Sequence, residues 1–451
     1  MLELRREGYT DLARVDLGPA GEFIFLLSAR AAQEVAVEKA SAFARRVSVP
    51  LFETLELDRG IVYEQGARHL RNKKLCLPCF ESKKSLASFY SAAQAEFEVL
   101  RGRWRALCAE QGGRARLDLY AEMRKYTLDI VLRVTFGLGD MADSYDRADE
   151  LSDTIKQYLE RIVATANEVP PIYQVAPRLS PNYNAVVDEL LPRLRELVDD
   201  VIAERRRAVS SAEPSSRADL LSLLVAEEGI DDREISRILF DIIIAGSDTT
   251  ASTLGAALYI LHEPRHIAQL AAARKEAAEV DVASLQLDDL KSDLPYAFAV
   301  TKETLRLYPP VPFFGRTSIA DASVCGYAVK NGSTACFSPW HLGRDASAWG
   351  ETAEEFVPER WLGQPRGGAP ANQWLPFGAG LRGCLGTRLA VTEALVGIAR
   401  LLREFDFSFE RDGELEFSYD ITLNLEGSTF CRVSPRSPGA GGAAAEGSGG
   451  A

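Results

Sequence analysis

No run of apolar residues in this chain is long enough to cross a bilayer; the longest, around Ile238 to Gly246, is broken by Asp241. Neither a secretory leader nor an anchor is read at the start. Basic charge is not in excess. Lys and Arg total 52 against 65 for Asp and Glu, and the net charge of -13 argues against non-specific nucleic-acid binding. Cysteine is thin and odd in number, with Cys76, Cys79, Cys108, Cys325, Cys336, Cys384 and Cys431 making seven in 451 residues. That is no disulfide framework, and it predicts a reducing, cytoplasmic setting, with attachment through an anchor absent from the chain as the alternative. Cys76 and Cys79 have metal-like spacing but no second pair, so helical packing accounts for them.

What is present is ordinary globular composition, 46% hydrophobic and 26% charged, with enough length for a large core. The segment LELRREGYTDLARVDLG reads as a helix end running into a strand, followed by a strand at EFIFLLS and a helix at ARAAQEVAVEKA. From about Tyr90 to Lys302 apolar residues recur at three and four, as in DREISRILFDIIIAGSDTTASTLGAALYILH. The Pro-rich stretch from Glu168 to Tyr183 and the polar stretch from Val209 to Arg217 read as surface loops. After Pro309 the pattern becomes short and turn-rich, before a last helix from about Leu385 to Phe405. The expected fold is mainly α with a small β lobe (α+β). One catalytic domain is expected over 1–433, followed by a flexible Gly/Ala/Ser-rich tail over 434–451. The short start and the linker-like tail raise the expectation of a domain cut from a longer chain.

The strongest chemical signal is PFGAGLRGCLG, Pro376 to Gly386. A Cys placed just before an apolar helix has backbone N–H groups and a helix N-terminus aimed at its sulfur, which favours the thiolate. Gly378, Gly380 and Gly386 allow a tight turn and close approach to a flat cofactor, and Arg382 can pair with a cofactor carboxylate.

These residues resemble the cytochrome P-450 haem-binding signature F-x-x-G-x-R-x-C-x-G, matched at Phe377, Gly380, Arg382, Cys384 and Gly386. The resemblance implies that Cys384 ligates the iron of haem b, that Arg382 binds a haem propionate and that Phe377 packs against the thiolate. It also implies the triangular-prism fold of the family, with haem between a long distal helix and the helix of the Cys loop.

A second signal, AGSDTT from Ala245 to Thr250, conflicts with the apolar helix around it, and such local conflicts mark function. The Thr249 hydroxyl can bond back to the Ala245 carbonyl, opening a groove, while Gly246 removes bulk. The run resembles the family's oxygen groove, which implies that Asp248 and Thr249 form the acid and alcohol pair delivering protons to O2, with Ala245 and Gly246 beside the cofactor. In ETLR, Glu303 and Arg306 share a helical face, and FVPERW supplies Arg360. By resemblance these three form a buried, structural charge network.

The resemblance also places His69, Lys73 and Arg316 at further propionate contacts, Lys73 standing where the family more usually has Arg. Ile242, Ala245, Thr249, Val311 and Phe313 are then expected to line the substrate pocket. All but Thr249 are apolar, which favours a lipophilic small-molecule substrate. From Arg68 to Lys84 six basic residues face a single Glu81. This is either a solvated face or, as the family implies, the docking face for an electron donor of ferredoxin, flavodoxin or P-450 reductase type.

The LRLYPP and PERW wording is closer to eukaryotic-type and sterol-demethylase members. Against a sterol 14α-demethylase, Ser247 and Asp248 stand where those enzymes commonly have His. The expected activity is haem-thiolate monooxygenation with O2: hydroxylation, epoxidation or oxidative demethylation. A peroxide-driven haem-thiolate enzyme, a demethylase-type lyase, a haem sensor and a purely structural helical protein stay as alternatives.

Overall fold

The computed structural model describes residues 8–436 apart from 17, 19–20, 48–49, 138–143, 211–218, 364–371, 412–414, 420, 426 and 428, with the side chains of 144–149 and 208–210 also left aside. The helix end expected at the start, most of the polar stretch after Val209 and the tail from residue 437 lie outside these residues.

The fold is mainly helical with a small strand-rich lobe, as composition and periodicity led one to expect. Six helices position the site: Gly66–Glu81, Lys83–Glu110, Leu119–Phe136, Asp232–Leu261, Pro295–Leu307 and Thr387–Glu404. Their starts follow capping chemistry. Ser82 accepts from Ser85 N, Asp118 from Tyr120 N, and Asp231 from Glu234 N at 2.7 Å. Pro295 occupies the first turn of its helix, where a missing N–H costs nothing. The 119–136 helix ends at Gly137 in the left-handed region.

The longest of the six, Asp232–Leu261, is buried almost without interruption from Ser247 to its end, and Thr387–Glu404 from Val391 to Leu402. Both belong to the one large core cluster, which also holds the 83–110 and 119–136 helices. The last helix begins two residues later than expected, because Gly386 serves as its cap.

The main sheet runs in the order Leu12–Asp16, Glu22–Leu26, Thr334–Phe337, Phe314–Thr317, Arg45–Arg46. Alternation in EFIFL buries Ile24 and Leu26 on one face. A three-stranded sheet joins Ala115–Asp118, Phe430–Pro435 and Phe405–Phe409. The Pro-rich stretch from Glu168 to Tyr183 is not a plain loop: it winds into turns at Ile172–Val175 and Pro177–Leu179 and begins a further helix at Pro181. Pro171, Pro177 and Pro181 each sit where a helical turn starts, while Pro170 lies in the bend before them, so residues that break a long helix also nucleate short ones.

Candidate functional site

Cys384 lies in the turn between the 3-10 turn Gly380–Arg382 and the last helix, its N–H bonded to the Phe377 carbonyl at 2.9 Å. Gly378 and Gly380 adopt φ of 64° and 65°. A Cβ at Gly380 would stand 2.0 Å from the Ala36 carbonyl oxygen, so only glycine lets this turn pass against the 34–38 segment. Cys384 is exposed, whereas Cys76, Cys79, Cys108, Cys336 and Cys431 are buried. Burial of its surroundings pushes the Cys384 thiol up, opposed by the Gly386 N–H, the Thr387 hydroxyl, Lys73 and Arg46. An open sulfur so deep in the protein faces an internal space.

That space is ringed by cations. His69 is buried and within electrostatic reach of Arg382, Lys73, Arg46 and Arg316. Its own burial, with those four charges, drives its ring down to about 3, so it is neutral here. Arg316 and Arg382 are buried, and burial followed by repulsion from Arg46 lowers both guanidinium pKa values. Among the described residues none of the four cations has a carboxylate within 4.0 Å. Arg46 Nε and Arg382 Nη1 are buried with no hydrogen-bond partner. Buried positive charge without counter-charge is costly, and a planar ligand bearing carboxylates above an open thiol would relieve it. The residues present therefore fit haem.

Arg46 escaped the sequence reading. It stands in the two-residue strand Arg45–Arg46, directly across from Arg316 in the antiparallel register. Its only local signal is the paired arginine in AFARRVSV; the partner that gives it meaning is far along the chain. Lys73 is placed differently from expectation: its Nζ donates to the carbonyls of Leu381 at 2.7 Å and Gly383 at 2.8 Å, fastening the Cys loop to the 66–81 helix. Arg382 is held by Gln65 Oε1 at 3.1 Å and by the Ala44 carbonyl at 3.3 Å.

On the distal helix the Thr249 hydroxyl donates to the Ala245 carbonyl at 2.8 Å, the back-bond expected from sequence. Ala245 is exposed, and Ile242 and Thr249 are half-buried. Asp248 turns the other way, toward the 119–136 helix. Its Oδ1 accepts from the Tyr120 hydroxyl at 2.7 Å and lies 3.5 Å from Arg124 Nε; its Oδ2 accepts from Thr422. Gly246 also has another role than the one expected. A Cβ there would stand 2.8 Å from Val131 of the 119–136 helix, so the missing side chain admits a neighbouring helix rather than a ligand. Val311 is half-buried, and Phe313 is exposed with its ring 6.3 Å from that of Phe25.

The ETLR network is assembled as expected. Glu303 is fully buried and receives Arg306 Nε at 2.8 Å, Arg360 Nε at 2.9 Å, Trp361 Nε1 at 2.8 Å and Val357 N at 2.8 Å. Arg306 also caps the carbonyls of Gly343, Ala353 and Glu355. From Trp361 a line of rings runs through Trp374, at 6.0 Å, to Phe377, at 5.9 Å, so the network reaches the Cys loop through packed aromatics.

Much of the basic 68–84 face is internally paired: Arg68 with Glu64 at 2.5 Å, Arg71 with Glu234, Lys83 with Asp288 at 3.2 Å. Lys74, Lys84 and Arg388 are exposed. No helix among the described residues is long and apolar enough to cross a membrane.

The cytochrome P450 family model matches residues 2–427. A self-sufficient cytochrome P450 monooxygenase of Phanerodontia chrysosporium is 34% identical over 256 residues, 53% of this chain and 23% of that protein. The chain thus spans less than a quarter of that relative's length. An indolin-2-one monooxygenase of Zea mays is 29% identical over 371 residues, 78% of this chain and 69% of that protein. A pentalenene oxygenase of Streptomyces avermitilis is 28% identical over 377 residues, 82% of this chain and 79% of that protein.

Proposed function

Because the chain belongs to the cytochrome P450 family, we propose that it is a haem-thiolate monooxygenase inserting one oxygen atom of O2 into a lipophilic small molecule, with electrons from a separate donor protein or domain. The observation that carries this is the open Cys384 sulfur beneath an uncompensated ring of Arg46, Lys73, Arg316 and Arg382 around neutral His69. Haem b bound there supplies dioxygen activation at a thiolate-held iron.

Cys384 would hold the metal through its sulfur, and the Gly386 N–H and the Thr387 hydroxyl oppose the burial that pushes this thiol up. Arg46, Arg316 and Arg382, with His69 donating a ring N–H, take the carboxylates of the macrocycle. Lys73 acts one step back, fixing the height of the Cys loop. Thr249 presents a hydroxyl at the distal face, oriented by the Ala245 carbonyl. Asp248 holds a proton route behind it, anchored by Tyr120, Thr422 and Arg124. The apolar Ile242, Ala245, Val311 and Phe313 exclude water and favour an oily substrate. An acidic donor docks over the exposed cations Lys74, Lys84 and Arg388.

The test is the carbon-monoxide difference spectrum of the dithionite-reduced, haem-loaded protein. A red-shifted, thiolate-type Soret band lost in Cys384→Ala is expected; a His-type band in the native protein would overturn the assignment.

A further inference from the structure

Gln65 occupies the N-cap of the Gly66–Glu81 helix, yet its side chain makes no capping bond there. Glutamine is not among the residues that cap helices well, so the local position leaves this side chain unexplained. Its amide is used across the chain instead. Oε1 accepts the Arg46 N–H at 3.0 Å and Arg382 Nη2 at 3.1 Å, and Nε2 donates to the Arg46 carbonyl at 3.3 Å. One side chain thus joins the 45–46 strand, the Cys loop and the start of the 66–81 helix. Arg46 Nη2 completes the junction by reaching the Arg382 carbonyl at 3.5 Å.

These bonds decide which donors of the two arginines stay open. Arg382 uses Nη2 on Gln65 and Nε on the Ala44 carbonyl, leaving its buried Nη1 without a partner among the described residues; Arg46 likewise keeps a buried, unpartnered Nε. A planar guanidinium fixed at two corners presents the third in a set direction. The group that fixes it is neutral. Glu64, one residue earlier, is fully buried but engaged elsewhere: Asn72 Nδ2 donates to both its oxygens, at 3.1 and 3.0 Å, and Arg68 lies at 2.5 Å. An acid in place of Gln65 would lie against Arg382 and cancel part of the charge that a carboxylate-bearing ligand needs. One of its oxygens would also face the Arg46 carbonyl with no hydrogen to share.

We infer that Gln65 is a positioning residue for the cofactor: its amide aims the open corners of Arg46 and Arg382 at the haem carboxylates while leaving both arginines their full charge. This rests on the haem-thiolate reading above and adds to it a residue that acts through the two arginines. An amide of this length meets all three bonds because two of them need an acceptor and one needs a donor. The consequence for the reaction is electrostatic. The positive charge around the cofactor, and with it the ease of reducing the iron, is held in place by a side chain that carries none.

The experiment compares the haem-loaded native chain with Gln65→Glu and Gln65→Leu in two measurements, haem transfer to excess apo-globin and the iron reduction potential by spectroelectrochemical titration. Gln65→Leu removes the three bonds without adding charge, so haem should leave about tenfold faster with the potential little changed. Gln65→Glu keeps the shape and adds a negative charge, so haem should leave about tenfold faster or more and the potential should fall, because negative charge favours ferric iron. Failure of Gln65→Glu to retain haem is the same result at its extreme. Native transfer rates in Gln65→Glu overturn the inference. So does faster transfer with a native potential in Gln65→Glu, which would leave Gln65 a packing contact at a chain junction. Gln65→Glu decides alone if Gln65→Leu does not load. The carbon-monoxide spectrum on the same samples separates the two readings: a thiolate band with native rates and potentials defeats only this inference, whereas a His-type band in the native chain defeats the reading beneath it.

Discussion

Arg46 and Arg316 stand opposite each other across an antiparallel pairing, and among the described residues neither guanidinium has a carboxylate within 4.0 Å. Adjacent like charges on a sheet repel, so the pairing is favourable only with an anion between them. Arg46→Gln is expected to weaken haem binding by roughly tenfold to a hundredfold, the scale of one charge-assisted hydrogen bond. Haem transfer to an excess of apo-globin measures it. Unchanged transfer rates would remove Arg46 from the cofactor site.

Thr249 and Asp248 are held separately, one by its own helix and one by the 119–136 helix, so their variants should behave differently. Thr249→Val should keep electron consumption but divert it to hydrogen peroxide. Asp248→Asn should slow turnover itself, by about a hundredfold or more, with a larger solvent isotope effect. Tyr120→Phe, which removes one hydrogen bond from Asp248 Oδ1, should give a milder version of the second effect. Product, peroxide and electron consumption measured together distinguish them; identical profiles for Thr249→Val and Asp248→Asn would contradict the separation.

Among the described residues Glu303 is the only carboxylate within 4.0 Å of Arg306 and Arg360. Glu303→Ala leaves buried guanidinium charge uncompensated and is expected to cost about 3–5 kcal/mol. Urea unfolding followed by fluorescence should show it, with haem loading lost in parallel because the Trp361–Trp374–Phe377 line joins the network to the Cys loop. A variant with native stability would mean that the network is not needed to hold the fold.

His262 caps the distal helix with Nδ1 on the Leu258 carbonyl and stacks edge-on against Phe407. Burial lowers its pKa from 6.5 to about 4. The native state therefore binds fewer protons than the unfolded chain between these values, and stability falls as pH drops from 6.5 toward 4. His262→Gln should flatten that part of the stability–pH curve; a curve as steep as the native one would assign the acid sensitivity elsewhere.

The sequence by itself determined the fold class, the Cys loop, the Thr249 back-bond and the Glu303–Arg306–Arg360 network. Apart from Arg360, which family resemblance joined to the network, each rests on short-range pattern: glycine at turns, hydroxyls at i−4, charges one helical turn apart. Only the tertiary structure decided which cations surround the Cys384 sulfur, because Arg46 meets Arg316 through strand pairing across some 270 residues of chain. It likewise turned Gly246 and Asp248 toward the 119–136 helix and set Asp241 against the Gly60–Val62 turn. Helical periodicity fixes which residues share a face, but which neighbour that face meets is set by how the helices pack, and that is not written in any local stretch.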